Sequence, residues 1–259
     1  MRPNSKDSVQ LQQKAVEELR HIITDKNYLD QNKLESNSFL LRYLKFFHMD
    51  VSKAEKAIKN YWKYCNSKKL ACFVTEIPNK YKDIFQIFAG ARDHQNRPVI
   101  QIPNIGDWIK KLNNGFDKQD ELVLATLIER MHWNLEEKLL AMDAEYAVMI
   151  LDFKDIPYTF SFSKRILNIV VKLIKEMMPI SPDVIAQTII LNAPKIMKVL
   201  TTAAHTLLRF TPEQQNRCVM FSPSDADWKG QILNFVPANQ LRPEFGGTFI
   251  GHQMWFENN

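Results

Sequence analysis

The stretch TIILNAPKIMKVL, Thr188 to Leu200, changes its hydrophobic period half-way along. Thr188 to Leu191 are an unbroken apolar or β-branched run, which reads as a buried strand. Asn192, Ala193 and Pro194 make a turn, and from Lys195 the apolar positions recur at helical spacing. Set out at about 100° per residue, Ile196, Met197, Val199, Leu200, Ala203, Ala204, Leu207, Leu208 and Phe210 fill one half of that helix. Lys195, Lys198, Thr201, Thr202, His205, Thr206 and Arg209 fill the other. A helix that is half apolar and half basic covers a sheet, or it closes an apolar cavity and also meets an anionic bilayer.

The strand-then-helix order extends in both directions. EYAVMILDF, Glu145 to Phe153, suits a strand buried on both faces, a helix is expected over Phe162 to Met178, and Arg217 to Phe221 reads as a further strand before a helix at Asp227 to Phe235. Upstream, Phe85 to Ala91 and Val99 to Ile102 flank the polar turn RDHQNRP as a hairpin-like pair, and a long helix runs from Asp117 to about Leu140. This order predicts an α/β fold whose mixed, largely parallel sheet is covered by helices. The first 70 residues differ, with helical spacing over Val9 to Thr24, Ser38 to Phe47 and Ser52 to Asn66, the last capped by Asp50 or Ser52. They predict an all-helical amino-terminal lobe.

The 259 residues, 45% hydrophobic and 24% charged, suffice for a substantial core and exclude fibrous or disordered classes. Cys65, Cys72 and Cys218 lack paired or zinc-type spacing, which argues for a reducing, cytoplasmic setting. The amino terminus shows no apolar signal core and no glycine at position 2, and no stretch reaches 18 apolar residues, so neither secretion nor a membrane span is expected. The whole net charge of +5 falls between Lys164 and Arg217, where eight basic residues face three acidic ones. Such a region meets a polyanion or is a solvated face.

Catalytic patterns are sparse. Seven glycines form no GxGxxG, Walker loop or GxSxG elbow, which argues against nucleotide and hydrolase sites. Glu18 with His21 and Glu129 with His132 have the Glu-x-x-His spacing of di-iron carboxylate bundles, although the expected parallel sheet does not suit a four-helix bundle. SPSDADW offers a serine beside Asp225, a combination that more commonly makes turns and helix caps.

Three segments resemble one family. SFLLRYLKFFHMDVSKAEKAIKNYWKY (Ser38 to Tyr64), IILNAPKIMKVL and FVPANQLRPEFGGT (Phe235 to Thr248) are similar, in order and spacing, to the amino-terminal, strand-to-gate and closing segments of CRAL-TRIO proteins, and YAVMILDFKDI fits between them. The resemblance implies a CRAL-TRIO fold with a helical lobe at 1–75 and a lipid-binding domain at 76–259. It further implies that the helix from Pro194 is a lid over an apolar pocket. No enzyme activity, metal, cofactor or nucleic acid is expected, and the protein is expected to act as a monomer in brief contact with anionic membranes, phosphoinositides included.

The expected ligand is a small hydrophobic lipid of the tocopherol or retinoid kind, and phosphatidylinositol or another phospholipid is the alternative, as is a lipid-regulated scaffold. The expected lining is Leu124, Ile128, Val148, Ile150, Val170, Leu173, Ile189 and Leu191, with Ile196, Val199, Leu200 and Ala203 of the lid. In phosphatidylinositol-exchanging relatives an acid eleven residues before the signature proline and a basic residue opening the next strand contact the headgroup, and these fall on Asp183 and Arg217. Lys195, Lys198 and Arg209 join Arg217 as expected membrane contacts. Serine positions that line tocopherol- and retinal-type pockets fall on Leu124 and Ile128, and Arg242 replaces a usual proline in what reads as a loop variation.

Overall fold

In a computed structural model the described residues are 5–69, 77–82, 84–113, 117–156, 168, 171–172, 175–176, 180–182, 184–208, 215–225 and 227–253. Four helices open the chain: α1 (Ser5–Lys26), α2 (Gln31–Glu35), α3 (Asn37–Phe46) and α4 (Val51–Tyr64). Short polar side chains set three of the starts. Asp30, Ser36 and Asp50 accept the backbone N–H of Lys33, Phe39 and Lys53 respectively, each supplying one partner that the first helical turn lacks. Asp50, not Ser52, is therefore the cap of α4, and its neighbour Lys53 holds its carboxyl below the ordinary value.

The remainder carries β1 (Phe88–Arg92), β2 (Pro98–Ile102), α5 (Ile105–Asn113), α6 (Lys118–Ala141), β3 (Ala147–Asp152), β4 (Ile185–Leu191), α7 (Lys195–Leu208), β5 (Cys218–Met220), α8 (Trp228–Ile232) and β6 (His252–Gln253). The sheet order is β5-β4-β3-β2-β1-β6. Strands β2 to β5 run parallel, whereas β1 is antiparallel to β2 and β6 to β1. This is the mixed, largely parallel sheet that the alternation predicts. Helices α2 and α5 and the edge strand β6 have no counterpart in the sequence reading: α2 and β6 are too short to show a period, whereas α5 does keep helical spacing at Ile105, Trp108, Ile109 and Leu112 and went unread. The helix expected at 162–178 lies largely outside the described residues.

Asp117 and Asp120 start α6 reciprocally. Asp117 Oδ1 accepts the Asp120 N–H at 2.8 Å, and Asp120 Oδ2 accepts the Asp117 N–H at 2.9 Å. Asp117→Ala is expected to lower stability by about 1 kcal/mol in denaturant titration, and an unchanged midpoint would count against this capping role.

The helical lobe is not closed by its own residues. Leu19, Ile23, Leu40, Tyr43, Leu44, Ile58 and Tyr61 pack around Trp133 of α6, which is completely buried. Polar links follow the same seam: Ser38 donates to Asp143 at 2.6 Å and Lys45 pairs with Glu145 at 2.7 Å. At its centre the Arg42 guanidinium meets Glu136 Oε1 at 2.9 Å, while Tyr61 and Ser181 donate hydroxyl hydrogen bonds to the same carboxylate at 2.7 and 2.8 Å. Tyr43 donates to the Ile180 carbonyl at 3.0 Å. The lobe thus grips the chain just before it enters β4.

Candidate functional site

Successive strand residues point to opposite faces of the sheet, and here the two faces differ. On one, Val99, Val148, Ile150, Ile189 and Leu191 are sealed beneath Phe221, Ile232, Val236, Leu241 and Phe245, every one of them no more than 5% exposed. On the other, Ile100, Ile102 and Ile190 are buried under α5, α6 and α7, yet Met149, Leu151, Thr188, Cys218 and Met220 stay only half-buried. Central strands of a parallel sheet are ordinarily covered on both sides. An incompletely covered apolar strip on β3 to β5 is therefore the feature that asks for a ligand.

The expected lining residues divide between these faces. Leu124 and Ile128 of α6 lie on the open side, packed in the cluster that also holds Met149 and Leu151. Val148, Ile150, Ile189 and Leu191 do share one face of their strands, but it is the sealed one. The open-side positions are their neighbours Met149, Leu151, Thr188 and Ile190. Both faces of β3 and β4 are apolar, so the alternation that normally identifies the inner face is missing. Val170 and Leu173 fall outside the described residues, as do Asp183 and Arg209.

The turn into α7, expected at Asn192 to Pro194, is anchored by Asp152, which the sequence reading passed over. Asn192 takes the left-handed conformation with φ 52°, and its Nδ2 donates to Asp152 Oδ1 at 2.6 Å, tying the end of β4 to that of β3. Lys154 N–H donates to the same oxygen, at 2.9 Å, and burial raises the Asp152 carboxyl despite these bonds. The Ala193 N–H reaches the Phe221 carbonyl at 2.8 Å. The Asn-Ala-Pro run is thus a pinned pivot from which α7 leaves the sheet.

Helix α7 touches the sheet through Met197, which packs with Ile190, Cys218 and Met220. Ile196 and Val199 are instead 40% and 63% exposed. Val199 lines a shallow outer depression of about 450 Å³ with Lys198, Thr202 and Thr206. The expected inward positions Ile196 and Val199 are therefore corrected to the outer side, beside the exposed Lys195 and Lys198. An apolar arc half a helix wide does not say which edge of it meets the sheet, and here it is the Met197 edge. The Leu200 and Ala203 side chains are outside the described set. Arg217 sits at the opening of β5 with its guanidinium 5.5 Å over the Tyr146 ring, and its carbonyl accepts from Thr188 N–H and Gln187 Nε2.

Residues 81–247 match the family model described as CRAL/TRIO domain. The chain belongs to the CRAL/TRIO family. A CRAL/TRIO chain is a member of a lipid-binding and transfer family, one whose proteins generally bind and move lipids and are not enzymes. The crystal structure of Sfh5 is similar in fold, with a TM-score of 0.63 at 14% identity over 89% of this chain and 85% of that one.

The closing segment of the CRAL/TRIO domain explains its Gly-Gly ending. Gly246 has φ 85°, and a Cβ on Gly247 would collide with the carbonyl oxygens of Leu241 and Ala238. Arg242, which reads from sequence as a loop variation, lies 3.4 Å above the Phe88 ring centre, pairs with Glu244 and gives its N–H to the buried Gln101. It fastens the segment that seals one face of the sheet.

Among the described residues the catalytic patterns of the sequence do not form a metal-ligand cluster. His21 lies 3.8 Å from Asp25 with both exposed, Glu129 accepts from Tyr64 at 3.3 Å, and among the described residues no three His, Cys, Asp or Glu side chains converge as metal ligands. Asp225 accepts the Ser222 N–H at 2.6 Å, so that pair makes a turn. Burial raises the Cys218 thiol, which disfavours its thiolate. Among the described residues no helix is long and apolar enough to cross a membrane.

Proposed function

We propose that the protein binds a small, mostly apolar lipid of the tocopherol or retinoid kind between α7 and the open face of β3 to β5, and passes it to or between membranes. The observation that carries this reading is the half-buried strip of Met149, Leu151 and Met220 on a sheet whose other face is sealed. Leu124 and Ile128 wall it from α6, and methionines adapt to a ligand of irregular shape. Covering about 400 Å² of lipid at about 25 cal/mol/Å² is worth on the order of 10 kcal/mol, so release into water is slow and needs an acceptor. The exposed Ile196 and Val199 beside Lys195 and Lys198 suit a lid whose outer side meets that acceptor. Contact there favours the open lid by differential binding.

A phospholipid ligand is the second reading, because Arg217 opens β5 where a headgroup phosphate would need a cation. Its placement over Tyr146, and the scarcity of polar side chains among the described residues of the open strip, favour the apolar ligand, since a headgroup buried without partners costs several kcal/mol. Mass spectrometry of the organic extract of purified protein tests the class directly. Arg217→Glu is expected to slow transfer to anionic vesicles while leaving loading intact. Lost loading, with phosphatidylinositol in the wild-type extract, would establish the second reading instead. Loading without any transfer between vesicles would point to a lipid-regulated scaffold.

A further inference from the structure

Val51 to Lys69 contains six lysines and a single acid, Glu55, although the chain outside 164–217 is neutral on balance. That acid is already engaged by Lys26 of α1 at 3.1 Å. Helix α4 turns Ala54, Ala57, Ile58 and Tyr61 into the lobe core, which leaves Lys56, Trp62 and Lys63 exposed and Lys59 half-buried on the remaining arc. Trp62, 37% exposed, lies 5.9 Å from the Tyr28 ring, and the Lys59 ammonium stands 5.9 Å from the centre of that same ring. Lys53 is spoken for by Asp50 at 3.0 Å, and Lys68 and Lys69 continue the series in sequence.

We propose that this face of α4 is a second docking surface for an anionic bilayer, separate from α7. Lysine without arginine supplies diffuse positive charge and none of the bidentate forks that read nucleic acid phosphates. A tryptophan and a tyrosine at the rim, each apolar with one polar end, suit the headgroup level of a membrane. The charged residues lining the groove along α4 against α1 are Glu18, Asp25 and Glu55 with Lys26, so a polyanionic strand laid in it would meet three carboxylates and one ammonium already paired with Glu55. The lysines lie instead on the outward arc of α4, away from that groove. The inference does not depend on which lipid fills the apolar site.

Vesicles of phosphatidylserine in phosphatidylcholine provide the probe. Each lysine near such a surface multiplies binding roughly fivefold, so the triple reversal Lys56→Glu, Lys59→Glu, Lys63→Glu is expected to weaken co-sedimentation by at least about 100-fold. Because these side chains lie outside the core, the lipid recovered from the variant is expected to match that from the wild type. In the unmodified protein, adding the vesicles is expected to shift tryptophan emission to the blue, and Trp62→Phe to abolish most of the shift. The proposal is overturned if the wild type ignores phosphatidylserine, if the triple variant sediments like the wild type, or if the emission shift survives Trp62→Phe. Tighter binding to duplex RNA than to the vesicles would likewise overturn it and assign the face to nucleic acid.

Discussion

Glu136→Ala is expected to cost about 3–5 kcal/mol of folding stability, because it strands the Arg42 guanidinium in the interior and takes the acceptor from Tyr61 and Ser181. Both members of the ion pair are 2% exposed, so water cannot substitute. For a chain of this size the loss appears as a fall in melting temperature on the order of 10 °C. Burial by itself would raise the Glu136 carboxyl, but Arg42, His132 and the two hydroxyls hold it below its ordinary 4.5. A carboxyl lowered by folding adds stability that is complete above 4.5 and is lost as pH falls through the folded value. The wild type is therefore expected to lose stability on acidification below about pH 4.5, and Glu136→Ala to lack that part of the acid response. Arg42→Met combined with Glu136→Leu is expected to recover much of the loss, since a packed apolar pair needs no ionic partner. A single variant that melts with the wild type would show that the network does not hold the lobe to the sheet.

Neighbouring substitutions on β3 are expected to fail in different ways. Leu151→Trp places an indole in the open strip and is expected to reduce lipid loading by more than about tenfold while the melting temperature changes little, since a bulky ring there occupies ligand space. Ile150→Trp, one residue away, forces the same ring into a face that has no room, where Ile150 is completely buried, and is expected to destabilise the fold by about 1–3 kcal/mol or more. Lipid recovered per mole of protein and thermal melting, measured on both variants, separate the outcomes. Equal loading in Leu151→Trp and wild type would remove the open strip as the ligand site.

The long elements were legible because their signals are local. Asp50 as a cap, the helical run from Asp117 to about Leu140, and the apolar run of β3 each depend on residues within a few positions of one another. The same holds for the strand-to-helix switch at Asn192, which needs only the sequence around it. Asp152 was missed as the anchor of that switch because its partner stands 40 residues away, and nothing in the local pattern of either marks the pair. Arg242 was misjudged for a similar reason: its ring partner Phe88 belongs to the other end of the sheet sequence.

By itself the sequence determined the α/β order, the helical lobe and the family, since periodicity, caps and motif spacing are properties of the unfolded string. Only the tertiary structure decided which side of the sheet is open. A strand that is apolar along its length carries no alternation, so Val148 and Met149 look alike until one is sealed beneath the closing segment and the other is left half-buried beside α6. Tertiary packing likewise decided the rotation of α7, because an apolar arc half a helix wide is satisfied at many angles and contact at Met197 selected one. It also exposed the lysine face of α4, as net charge adds over the chain while burial on one side of a helix sorts charges in space.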